Sequence, residues 1–63
     1  MTTETTYPAI ALEWAFEYNH DGYDPLDAAH LALQKCVREG LILMVLDGMV
    51  MQLYNAMYQK VEG

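Results

Sequence analysis

Apolar and polar positions follow three different rhythms along this chain. In AIALEWAFEYNH, Glu13, Glu17 and His20 recur at i, i+4 and i+7, which draws one polar stripe on a helix. Ile10, Leu12, Trp14, Phe16 and Tyr18 fill the remaining surface, a wide apolar face for so short an element. The spacing predicts a first helix over about 8–20. Thr6 is placed to cap it, Pro8 is tolerated in its first turn, and Asp21-Gly22 closes it. Residues 1–5 read as a frayed tail.

The second rhythm is also helical, over about 24–39. Asp24 suits the N-cap, Pro25 the first helical position, and Asp27 the positive end of the helix dipole. Asp27, His30, Gln34 and Arg38 form a wet stripe, while Leu26, Ala29, Leu33, Cys36 and Val37 form a dry one. Gly40 fits the left-handed position that follows a helix, with Leu41 packing back in the Schellman manner.

The third rhythm is a period of two. LILMVL and MVMQLY flank Asp47-Gly48, a preferred two-residue hairpin turn, because both central positions need positive φ. The expected fold is therefore α+β: two helices packed on a C-terminal β-hairpin (41–46 and 49–54), with a short closing helix or a continued strand after it. One hairpin face carries Ile42, Met44, Leu46, Met49, Met51 and Leu53 and reads as core. The other carries Leu41, Leu43, Val45, Val50, Gln52 and Tyr54, too apolar to be left to water. An all-α alternative, three helices or a helical-hairpin oligomer, rests on Gly48, Gln52, Asn55 and Gln59 at i, i+4, i+7 and i+11. Against it stand the missing N-cap before Leu41 and a glycine inside the helix at about 1 kcal/mol.

Size sharpens the picture. A single domain of 63 residues holds a marginal core, and small domains commonly add disulfides, a metal or oligomerisation. Cys36 is the only cysteine, so no intrachain disulfide forms, and no Cys/His pattern has zinc spacing. Oligomerisation, as a homodimer, is the expected remedy. Its interface is expected on Leu41, Leu43, Val45, Val50, Tyr54 and Tyr58. The apolar share of 54% points the same way, and Met and Tyr, five of each, are residues that interfaces favour.

Charge selects among partners. The net charge is −6, and residues 1–34 hold six carboxylates and no Lys or Arg. Lys35, Arg38 and Lys60 assemble no basic patch, so direct nucleic-acid binding is not expected. Glu13, Glu17, Asp21, Asp24 and Asp27, with Tyr18 and Tyr23, make a face suited to a basic protein through hydrogen bonds and cation–π contacts. The polar N-terminus does not read as a signal peptide, and Asp47-Gly48 interrupts the one long apolar run before it reaches membrane-spanning length. A cytoplasmic location, without membrane contact, is the expectation.

Reactive chemistry finds little support. Glu17-x-Asn19-x-Asp21-Gly22 resembles the opening of an EF-hand calcium loop, but the twelfth position, which needs a bidentate glutamate, is Ala28. His20 and His30 lie on polar stripes, and Cys36 lies on a dry one, where a thiol is structural. No nucleophile elbow, phosphate loop or H-E-x-x-H motif occurs. No enzyme, no cofactor and no metal are expected.

The run DAAHLALQKCVREGLILMVLDGMVMQLY, residues 27–54, resembles the end of a winged-helix domain: a helix, Gly-Leu-Ile, a strand, an Asp-Gly wing tip and a returning strand. The resemblance implies a dimeric DNA-binding regulator. The chain departs from it in carrying Asp27 and Glu39 on the would-be recognition helix and no basic residue in the wing. The leading expectation is thus a non-enzymatic protein–protein interaction module. Its concrete form is a small inhibitor, similar in style to those that phages encode, whose acidic face masks a nucleic-acid-binding surface. The winged-helix regulator and an oligomeric small-ligand binder, with a pocket lined by Trp14, Phe16 and methionines, are the alternatives.

Overall fold

The computed structural model describes residues 7–62, with side chains through residue 59. Three helices follow one another: α1 (Ala9–His20), α2 (Pro25–Arg38) and α3 (Asp47–Glu62). Among the described residues there is no strand. The expected α+β fold is therefore corrected to the all-α alternative, and the wing of the winged-helix resemblance does not exist.

α1 and α2 are close to the segments that periodicity marks. Pro8 occupies the N-cap of α1, and Thr6, the expected cap, lies outside the described residues. Asp24 stands at the N-cap of α2 with Pro25 as its first residue. Its carbonyl, rather than its carboxylate, accepts the capping bond, from the Ala28 amide at 2.7 Å. Both helices end in the same device. Gly22 (φ +118°) and Gly40 (φ +81°) each sit one residue past the C-cap. The Tyr23 amide donates to the Tyr18 carbonyl and the Gly22 amide to Asn19. The Leu41 amide donates to Cys36 and the Gly40 amide to Val37 in the same 6→1 and 5→2 pattern. The sharp corner after α1 folds α2 back along it.

These two helices share the most extensive contact of the three pairs, and alanines build it. Ala11 and Ala15 of α1 and Ala28, Ala29 and Ala32 of α2 are fully buried. Small side chains let helix axes approach toward the short end of the usual 8–10 Å. α3 packs over this pair with Met49, Val50, Leu53 and Met57, while Leu33 and Cys36 complete the core beneath.

Why residues 47–62 form a helix follows from what can be buried. Met49, Val50, Leu53 and Met57 fall at i, i+1, i+4 and i+8, one helical stripe, and all four are buried. A hairpin would point Met49 and Val50 to opposite faces, so only one could enter this core. The type I′ turn also required positive φ at both Asp47 and Gly48, and among the described residues only Gly22 and Gly40 have it. Asp47 instead lies in the first turn of α3, where its charge suits the helix dipole. Gly48, Gln52, Asn55 and Gln59 are exposed, as the helical alternative required. Met44, Leu46 and Met51, assigned to a hairpin core, are exposed instead.

Candidate interaction surfaces

The molecule measures 29 × 28 × 17 Å, so its thinnest dimension is under two helix diameters. A slab this thin has little interior, and the residues that occupy it are small. Leu33, Leu53 and Cys36 are the largest fully buried side chains. Ile10, Leu12, Trp14, Phe16 and Tyr18 of α1 are all only half-buried. Leu26, placed on the dry stripe of α2, is exposed near the start of that helix.

Half of the exposed large hydrophobic side chains among the described residues lie in the connection between α2 and α3. Leu43 is 96% exposed, Met44 59%, Leu41 49% and Leu46 46%, and Met51, early in α3, is 51% exposed. Ile42 and Val45 turn partly inward against the core. Between Leu41 and Val50 no residue donates a backbone–backbone hydrogen bond outside a helix, among the described residues. The segment thus offers free peptide groups as well as apolar side chains.

The interface expected from the hairpin is redistributed by the helix. Leu41 and Leu43 remain outward, Val45 is half-buried, and Val50 is 5% exposed inside the protomer's own core. Val50 is therefore withdrawn from the contact surface, because the helical turn carries it to the side of Leu53. Tyr54 and Tyr58 lie one turn apart on α3, their rings edge-to-face at 4.9 Å. The Tyr54 hydroxyl donates to the Tyr58 hydroxyl at 3.3 Å, which, with some burial and the neighbouring phenol's charge, raises the Tyr54 pKa.

The acidic residues gather about the α1–α2 corner. Glu17 lies in the last turn of α1, Asp21 and Asp24 in the connection, and Asp27 in the first turn of α2. Glu13 sits one turn back along α1, and all five carboxylates are exposed. Tyr18 and Tyr23 meet edge-to-face at 5.8 Å across the corner, as the third-last helical residue and its Schellman partner. The Asn19 amide locks the same corner by donating to the Tyr23 carbonyl at 2.7 Å. Glu17 and Asn19 of the calcium-loop pattern lie within α1 rather than in a loop, and Ala28, at its twelfth position, is buried in α2. Among the described residues no cluster of three or more His, Cys, Asp or Glu could hold a metal ion.

The two features occupy opposite ends of α2. Its 14 residues separate the acidic corner from Leu41 by about 20 Å. The sequence carries a trace of this polarity: LILMVL has no helical rhythm, and one begins at Met49.

Concave features are modest. A notch of about 230 Å³ is walled by Phe16, Pro25, Met57 and Tyr58, below the usual range for small-ligand sites. An open cleft of about 650 Å³ between α1 and α3 is lined in part by the amides of Gln52, Asn55 and Gln59. The Trp14 face, assigned to a ligand pocket, is covered by the Lys35 ammonium at 4.6 Å. Cys36 is a free thiol, fully buried, and burial raises its pKa, the opposite of what a nucleophile needs. No described helix is long and apolar enough to cross a membrane. No protein-family model, curated protein or solved structure matches this chain.

Proposed function

We propose that this chain is a non-enzymatic protein–protein interaction module. One observation carries the reading: the protomer buries alanines and turns Leu41, Leu43, Met44, Leu46 and Met51 to the surface. An outward apolar patch of this extent on a small domain marks a contact surface. The acidic corner gives the second contact its chemistry. Exposed Glu17, Asp21, Asp24 and Asp27 beside the Tyr18–Tyr23 pair suit arginines and lysines of a basic protein surface, including one that otherwise holds nucleic acid.

Affinity capture from the native host at low and high salt tests the reading. A basic partner is expected at low salt, released at high salt, and lost on reversing Glu17, Asp24 and Asp27 to lysine. Capture that ignores both salt and charge reversal refutes the electrostatic part.

A further inference from the structure

We propose that the connection Leu41–Leu46, with Met51, is the contact surface of a two-fold homodimer, so that each protomer presents its acidic corner at the far end. The inference rests on the interaction function above and names a second copy of this chain as the occupant of the apolar surface.

Three observations favour a second copy. The first is area. The exposed parts of Leu41, Leu43, Met44, Leu46 and Met51 amount to about 550 Å² per protomer, the top of the range for a single surface patch. Covered completely on both copies, that reaches the roughly 1,000 Å² at which a specific interface begins.

The second is charge. Two copies of a −6 chain repel unless they meet where charge is sparse. Residues 41–46 carry no ionisable group and are bordered by Arg38 and Glu39 on one side and Asp47 on the other. The acidic corner lies about 20 Å away along α2, more than two screening lengths at physiological ionic strength. Joining at the apolar ends keeps the repelling ends apart. The same charge disfavours an anionic membrane as the occupant.

The third is the backbone. Residues 42–46 leave their amides without backbone acceptors among the described residues, in a segment bent at Leu41, Leu43 and Met44, so its peptide groups are open to a partner. An identical segment across a two-fold axis offers matching donors, acceptors and side chains.

Sedimentation velocity on the full chain, from about 1 to 200 µM in 150 mM salt, is the test. A species of twice the 7.2 kDa protomer mass is expected. Leu43→Asp changes a side chain that touches almost nothing in the protomer, so the far-UV circular dichroism stays unchanged while the dimer dissociation constant rises at least about 100-fold. Leu26→Asp, exposed at the opposite end of α2, leaves dimerisation intact. The inference is overturned by a protomer that stays single at 200 µM, by a dimer indifferent to Leu43→Asp, or by a monomer that binds phosphatidylcholine vesicles through Leu43. A single protomer that still captures a basic partner refutes this inference alone. A dimer that captures none refutes the acidic-corner reading alone.

Discussion

Replacing Gly48 by alanine separates the helix from the hairpin at the residue where they diverge most. Gly48 is the second residue of α3, its φ is not positive, and a β-carbon added there meets nothing within 4 Å. No contact is lost and none is strained, so the change acts through the backbone. Alanine restricts the unfolded chain and favours the helix, together about 0.5–1 kcal/mol of added stability at a compatible position. For a domain of this size that raises the melting temperature by about 2–8 °C. Gly40→Ala is the matched control. Its surroundings are equally open, but its φ is +81°, so alanine there costs about 1–2 kcal/mol in backbone strain alone. Urea titrations followed at 222 nm, at one fixed protomer concentration, read both changes against the parent, with the slope of the transition checking that cooperativity is kept. In a type I′ turn Gly48 would have positive φ, and its alanine variant would lose stability as Gly40→Ala does. A loss of that kind at Gly48 refutes the assignment of α3.

Other expectations follow from the core and the tyrosine pair. Ala15→Leu forces three extra heavy atoms into the fully buried contact between α1 and α2, and should cost about 1–3 kcal/mol or more by the same urea assay. Leu33→Ala, in the core beneath α3, should cost about 2–5 kcal/mol. Cys36 should resist alkylation by an exposed-thiol reagent until the chain unfolds. Because burial raises its pKa above the ordinary 9.0, the folded state holds that proton more tightly than the unfolded chain. Its contribution to stability is full below pH 9 and falls as the pH rises past it, which Cys36→Ala should abolish in alkaline urea titrations. Tyr58→Phe should return the Tyr54 phenol toward its ordinary value of 10.0, read from the pH dependence of its ring-carbon shifts.

The two N-terminal helices were legible because their signals are local and agree with one another. Asp24-Pro25 starts α2, Gly40 ends it, and Glu13, Glu17 and His20 mark the wet side of α1. Residues 41–54 were misread because the strongest local signal there, Asp47-Gly48, is compatible with two backbones. A hairpin uses Asp and Gly for their tolerance of positive φ; a helix start uses Asp for its charge and endures the glycine. The tie was broken by something no short window contains: whether Met49 and Val50 can enter the same core. Of the residues expected at an interface, Leu41 and Leu43 are exposed in the structure, whereas Val50 is buried because a helical rather than a two-residue period governs it. Met44 and Leu46 were assigned inward for the same reason. The carboxylates were readable as exposed, and their gathering at one corner came from the reversal at Gly22, which places the end of α1 beside the start of α2.

The uncharged run Leu41–Leu46 within the α2–α3 connection also has a darker side during biosynthesis. LILMVL lacks proline and glycine, favours extended backbone, and keeps free amides even in the finished protomer, the makings of a segment that stacks into cross-β assemblies. Its immediate neighbours in sequence, Glu39-Gly40 before and Asp47-Gly48 after, place a like charge and a poor strand former at each end. Open-ended stacking in register would pile those carboxylates on one another, whereas a closed pair would not. Asp47 thereby serves as a gatekeeper against fibril growth as well as a favourable charge at the start of a helix.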